Sequence, residues 1–163
     1  MNDQKKIIVL EDLARRVATE RSNNRTVAHC HGCFDLMHPG HIKYLQAAKM
    51  MGDILIVTIT PDQYVDKGPQ RPVFNQNLRA ESIAALACVD FVSINRWSTA
   101  EKTLKLLRPD YYVKGQEFET LKDATGKIQK ERAVVKEIGA EMRFTYEIVF
   151  SSTNLLNQFF LSP

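Results

Sequence analysis

The sequence predicts an α/β fold: a doubly wound parallel sheet of about five strands in a single domain. Three observations lead there. Short apolar segments of strand length alternate with helical segments along the chain, the pattern of a parallel sheet covered on both faces. The first apolar segment ends in a glycine turn that opens into a helix beginning at Pro39. The length of 163 residues, with 44% hydrophobic and 25% charged residues, suits one hydrophobic core. Neither a repeat of fixed period nor a low-complexity tract interrupts the pattern.

Leu10, Leu13, Ala14, Val17 and Ala18 recur at helical spacing, so an amphipathic helix runs from Leu10 to Glu20 and gives way to the polar turn Ser22-Asn23-Asn24-Arg25. Residues 1–25 therefore read as an N-terminal helical extension, and residues 26–163 as the domain proper. Thr26 to Gly32 is the first strand and Pro39 to Met51 the helix after it. The alternation repeats with strand Asp53 to Thr60, a polar loop through Lys67-Gly68-Pro69-Gln70-Arg71-Pro72, a helix from about Gln76 to Ala87 and strand Phe91 to Asn95. Helix Thr99 to Leu107, strand Tyr111 to Val113, helix Ile128 to Ile138, strand Met142 to Tyr146 and a terminal helix near Asn154 to Phe160 complete it. Ligands of such sheets sit beyond the carboxyl ends of the strands, so the loops after Gly32, Thr60, Val113 and Tyr146 are the ones expected to carry function.

The formal charge of +3 comes from 22 basic and 19 acidic residues spread without a basic block. That is too mild for a nucleic-acid partner, yet a few local cations suffice for a small anionic ligand. No apolar run approaches the roughly 20 residues that span a bilayer. The polar start, Met1 to Lys6, lacks a signal-peptide apolar region. A cytoplasmic protein without membrane association is expected. Cys30, Cys33 and Cys88 are an odd number in a chain too large to need staples, which argues against a disulfide framework. Phe159-Phe160-Leu161 forms an apolar tail that a dimer interface or a further domain is expected to cover.

Chemistry concentrates in the loop Gly32-Cys33-Phe34-Asp35-Leu36-Met37-His38-Pro39-Gly40-His41. Pro39 suits the first helical position, because its fixed φ fits a helix and its missing N–H would be unpaired there. That puts His38 at the cap and His41 one turn in, on the same side. Two imidazoles at a helix N-terminus, where free N–H groups already favour anions, make a phosphate cradle. Gly40 admits close approach of a ligand to the backbone. The plainer reading, a capping His38 and a solvated His41, loses weight inside a strand-to-helix turn that also holds Gly32, Asp35 and Pro39. Asp35 keeps two readings: orienting a histidine or assisting a phosphate-bound Mg2+, and holding the loop through backbone N–H groups. Cys30-His31-Gly32-Cys33 has the spacing of a redox or half-zinc motif, but no second such pair exists and Cys30 falls in a buried strand.

Gly32 to His41 resembles the signature of the cytidylyltransferase-like nucleotidyltransferases, whose HxGH motif, here His38-Pro39-Gly40-His41, binds a triphosphate. The resemblance continues in order through Lys67, Arg71-Pro72, Arg79, Val113-Lys114-Gly115 and Ser151-Ser152-Thr153-Asn154, covering about Thr26 to Phe160. It implies a Rossmann-like fold and a catalytic set of His38, His41, Lys67 and Arg79. It implies nucleotide contacts from Gly32, Cys33, Phe34, His38, Gly40, His41, Lys114, Gly115, Ser151, Ser152 and Thr153, acceptor contacts from Asp35 and Lys67, and Mg2+ brought in with ATP. Lys67 is implied at the acceptor phosphate or the α-phosphate, and Arg79 on the pyrophosphate side. Lys67, Arg79 and Lys114 are expected as cations on the rim of the site. The alternatives are a solvated charge for each lysine, a surface ion pair for Arg79 and a plain helix cap for Ser151 to Thr153.

Within that family the chain is similar to the adenylyltransferase domain of bacterial ADP-heptose synthesis, in its Lys114-Gly115 and in the hydroxyl residues that open its last helix. It departs from the glycerol-phosphate cytidylyltransferases, which place an arginine and a glycine before those hydroxyls where this chain has Tyr146-Glu147-Ile148-Val149-Phe150. The resemblance thus implies transfer of AMP from ATP to a sugar 1-phosphate such as heptose 1-phosphate, with release of pyrophosphate. CTP-dependent transfer to a polyol or alcohol phosphate such as glycerol 3-phosphate is the alternative. A non-catalytic nucleotide-binding module and a thiol oxidoreductase are further ones. A homodimer, and a fused sugar kinase domain if the chain is part of a longer protein, are also implied.

Overall fold

The computed structural model describes residues 3–120 and 126–159. A short 3-10 turn (Asp3–Lys6) leads into α1 (Leu10–Ser22), followed by β1 (Val27–Gly32), α2 (Pro39–Lys49), β2 (Ile54–Ile59), α3 (Gln76–Ala84) and β3 (Phe91–Ile94). Then come α4 (Glu101–Leu107), β4 (Tyr111–Gly115), α5 (Lys127–Glu137), β5 (Glu141–Thr145) and α6 (Ser152–Phe159). Every strand pair is parallel and the order across the sheet is β3-β2-β1-β4-β5. The predicted α/β sheet of five strands is therefore present. Phe160 and Leu161, expected in the terminal helix and apolar tail, lie outside the described residues.

Alternation along the central strands sorts their side chains to two helical layers. Ala28 and Cys30 of β1 and Leu55 and Val57 of β2 pack against Leu45 and Ala48 of α2 and Ala80, Ile83 and Ala84 of α3. On the opposite face Val27, Ile54 and Ile56 meet Leu10, Leu13 and Val17 of α1 and Leu107 of α4. Tyr112 of β4 meets Leu104 of α4 and Val134 and Val135 of α5. Strand β2, buried at all six positions, has the continuous apolar run of a strand covered on both sides. The segment expected as an extension is part of this layering. Ile7 bridges to Val92, and the Ile8 N–H donates to the Val92 carbonyl (3.0 Å), which ties the start of α1 to β3.

Local chemistry explains the boundaries. α2 starts where His38 caps it and Pro39 takes the first turn. α3 starts at Asn75, whose side chain accepts from the N–H groups of Asn77 and Leu78, both at 3.0 Å. Strand β4 runs two residues past the expected Val113, because Lys114 and Gly115 find partners in Phe144 and Thr145 of β5. That extension carries Lys114 and Gly115 to the carboxyl edge of the sheet, beside the end of β1.

Candidate functional site

After β1 the chain builds outward through β2 to β3, and it later returns to set β4 on the other side of β1. The carboxyl ends of β1 and β4 thus flank the point where strand order reverses, where open α/β sheets form a ligand crevice. Gly32 ends one strand, Lys114 and Gly115 the other, and the N-terminus of α2 closes over them. The His38 and His41 rings stack there with centroids 3.7 Å apart and planes 16° from parallel. The His41 backbone N–H donates to Nδ1 of His38 (3.3 Å), which fixes the cap. Phe34, at φ +48°, sets its ring edge-on to His41 (5.3 Å), and Phe150 does the same to His38 (5.9 Å). Burial holds both histidines below their ordinary pKa, His41 at about 3, with each other's company and Lys67 acting in the same direction on His41.

Two adjoining cavities open at this edge. The first, about 270 Å³, is walled by Gly32, Cys33, Phe34, His38, Gly40, His41 and Gly115, with the segment 147–150 as its outer strap. The second, about 330 Å³, lies toward β2 and α5, between Thr60, Tyr64 to Asp66, Ser98, Thr99, Lys127 and Glu131. His31, Gly32, Cys33, Lys67, Lys114 and Phe118 line both. Lys67 is exposed on its loop. Lys114, expected on the rim, is instead held in the wall. Its ammonium lies 3.4 Å from the Glu131 carboxylate, 4.7 Å from the Phe118 ring centre and 5.4 Å from that of Tyr112. The cation is therefore preorganised between two rings and a carboxylate.

Several residues singled out in the sequence stand elsewhere. Arg79, expected on the rim, is 1% exposed. Its guanidinium donates to the carbonyls of Phe74, Cys33 and Thr60 and pairs with Asp62 (2.7 Å), so it clamps the loops after β1 and β2 and lines neither cavity. Asp35 is buried with both carboxylate oxygens engaged, one by Arg71 and one by the Val73 N–H (2.6 Å). This is the loop-holding reading, and Asp35 lines neither of the two cavities. Ser151 accepts from the Asn154 N–H (3.3 Å) as a cap of α6, and Ser152 donates to the Leu36 carbonyl (3.1 Å). Neither serine, nor Thr153, lines either of these two cavities; the neighbouring Phe150 lines the first. Cys30 is fully buried and its thiol is pushed up to about 12; burial also raises that of Cys33. A thiol without thiolate character is a poor redox centre.

Among the lining residues that sequence reading passed over are His31, Glu131 and the segment 147–150. His31 could have been found from its place at the end of β1 beside Gly32. Glu131 had no signal, because only the packing of α5 brings it to Lys114. The strap at 147–150 looked like a departure from the family pattern, yet its apolar residues form part of the cavity wall.

A model of the family described as cytidylyltransferase-like matches residues 29–158. The chain belongs to the cytidylyltransferase-like family. The matched span starts inside β1 and ends inside α6, so it takes in both cavities and leaves out α1. This family member is 37% identical over 157 residues to the bifunctional protein HldE of Campylobacter fetus subsp. fetus, covering 95% of this chain and 31% of that protein. It is 43% identical over 115 residues to the protein of the same name from Citrifermentans bemidjiense, covering 69% and 24%. The chain thus spans about a quarter to a third of the length of these curated relatives. The crystal structure of the lipopolysaccharide core biosynthesis protein from Thermoplasma volcanium GSS1 aligns with a TM-score of 0.63 at 25% identity, over 77% of this chain and 99% of that one. A pantoate-beta-alanine ligase from Francisella tularensis shares the fold, with a TM-score of 0.62 at 15% identity over 93% and 72% of the two chains.

Proposed function

We propose that this chain transfers the AMP moiety of ATP to a sugar 1-phosphate, releasing pyrophosphate. The stacked pair of His38 and His41 at the N-terminus of α2 carries the proposal. Each ring lines the first cavity and keeps one buried nitrogen, Nε2 of His38 and Nδ1 of His41, without a hydrogen-bond partner. Nδ1 of His38 accepts from the His41 backbone, so the proton of neutral His38 resides on Nε2. A buried N–H without an acceptor is costly, and an oxygen of a bound triphosphate would satisfy it. The free N–H groups of the first helical turn add to the same attraction.

In this reading the nucleotide takes the first cavity and the sugar phosphate the second, with Lys67 and Lys114 on the wall they share. An oxygen of the acceptor phosphate attacks the α-phosphorus. A bond forms there as the bond to the α–β bridging oxygen breaks, and the electron pair leaves with pyrophosphate. The attacking oxygen is already ionised, so no protein base is needed, and the work of the chain is positioning and charge neutralisation. Mg2+ enters with ATP and supplies further neutralisation on the phosphates. The described residues form no cluster of ligands for a resident metal, and no side chain is assigned to it. Adenine is preferred to cytosine because Lys114-Gly115-Gln116-Glu117 resembles the heptose branch and the Tyr146 to Phe150 segment departs from the glycerol-phosphate one.

His41→Ala is expected to lower pyrophosphate release about a hundredfold with its thermal midpoint little changed; undiminished release would sink the site assignment. A panel of ATP and CTP against heptose 1-phosphate and glycerol 3-phosphate tests the substrates. Turnover confined to CTP and glycerol 3-phosphate would replace the adenylyl reading with the cytidylyl one.

A further inference from the structure

On the sheet face that meets α4 and α5, a polar chain runs through the apolar core toward the site. His29, fully buried, places Nε2 2.8 Å from Thr58 Oγ1, and the same hydroxyl lies 2.8 Å from Nδ1 of His31. Nε2 of His31 in turn lies 3.5 Å from Thr60 Oγ1. The Thr58 hydroxyl has one proton for two ring nitrogens, so it donates to one and accepts from the other. The far end of the chain decides which. Nδ1 of His29 is buried without a partner, and an orphaned lone pair is tolerated better than an orphaned N–H. His29 therefore carries its proton on Nε2 and donates to Thr58; Thr58 donates to Nδ1 of His31; and His31 carries its proton on Nε2. Thr60, which Nε2 approaches, lines the second cavity and not the first.

We propose that His31 is an acceptor-binding residue of the second cavity: its Nε2–H donates to an oxygen of the incoming sugar phosphate, and His29 and Thr58 are positioning residues that lock this tautomer. The inference rests on the reading that the second cavity takes the acceptor. It adds a locked, directional donor to a wall that also holds the cations Lys67, Lys114 and Lys127, the carboxylates of Asp66 and Glu131 and the rotatable hydroxyls of Thr60, Tyr64, Ser98 and Thr99. A point charge attracts any anion, whereas a locked N–H selects an oxygen at one place, which is how a polar site discriminates among hydroxylated phosphates.

Two measurements test it. Long-range 1H–15N spectra of the imidazoles in the free wild-type chain are expected to show His29 and His31 each protonated on Nε2, with His31 becoming a tautomer mixture in Thr58→Val. A His31 protonated on Nδ1, or one unchanged in Thr58→Val, would overturn the chain of donors without touching the activity reading. Steady-state kinetics of His31→Leu are expected to show KM for the sugar phosphate raised about tenfold and KM for the triphosphate within twofold. His31→Gln, which keeps an N–H donor at similar reach, is expected to recover part of the loss. An unchanged acceptor KM, or equal rises for both substrates, would overturn the assignment. Absence of turnover by the wild type with every sugar phosphate would overturn both it and the activity reading.

Discussion

Gly40 shows how little room the site leaves around its histidines. A Cβ at this position would stand 3.1 Å from Nδ1 of His38 and 3.1 Å from the carbonyl oxygen of Ile148. One neighbour is the cap of α2 and the other belongs to the strap over the first cavity, so an added methyl pushes on both walls at once. Alanine is otherwise the better helix former by about 1 kcal/mol, which offsets the strain of moving the ring. Gly40→Ala is therefore expected to keep its thermal midpoint within a few degrees while kcat/KM falls roughly tenfold to a hundredfold, the scale on which small misplacements of reacting groups act. Wild-type turnover in this variant would show that the His38 ring position is not critical. The motif could be read from the sequence down to cap, proline and second histidine, because all of that is local. That the rings stack, and that the glycine is pinned between a ring and a distant carbonyl, depends on residues 148 to 150 and could not.

At the scale of elements, the loops after β1 and β2 are held by side chains that sequence reading placed in the site itself. Arg79 projects from α3 to carbonyls at Cys33 and Thr60, 46 and 19 residues away in sequence. Asp35 receives Arg71 and the Val73 N–H from the loop before α3. Removing the guanidinium would leave these half-buried carbonyls and Asp62 without their donor. Arg79→Met is expected to lose about 3 kcal/mol of stability in urea unfolding, with activity falling because the loop carrying Cys33 to His38 loses its anchor. If that variant unfolds at the wild-type midpoint and loses only triphosphate affinity, Arg79 is a ligand residue after all and the clamp is wrong. The misplacement has a physical reason. An arginine beside the inward residues of an amphipathic helix looks the same in sequence whether its head reaches water or a set of buried carbonyls. The boundaries of α2, β2 and β3, by contrast, were legible to within a few residues because caps and apolar runs act locally, whereas the last two residues of β4 were not, since only pairing with β5 makes them strand.

For the whole molecule, alternation of strands and helices announced a parallel sheet, but the reversal of strand order between β1 and β4 that locates the crevice is written in no local segment. The chain's four histidines gather on β1, with His29 and His31, and at the N-terminus of α2, with His38 and His41. Burial is the main reason that all four are held below their ordinary pKa. His29 and His41 lie at about 3, His31 well down with help from Lys114, and His38 is lowered too. In the unfolded chain each titrates near its ordinary value of about 6.5. For His29 and His41, between these limits the unfolded state binds the protons and the folded state does not, and His31 and His38 act in the same direction. The stability is therefore fully present above pH 6.5 and is lost as pH falls from there toward 3. Fully buried His29 alone accounts for about 1.4 kcal/mol per pH unit in that window. Urea midpoints measured from pH 7.5 to pH 5, above the range where most carboxylates titrate, are expected to fall steadily with pH, and to fall less steeply in His29→Gln. A midpoint constant across this range would mean that the histidines accept protons while the fold stays intact, and that the interior around β1 is far wetter than its packing indicates.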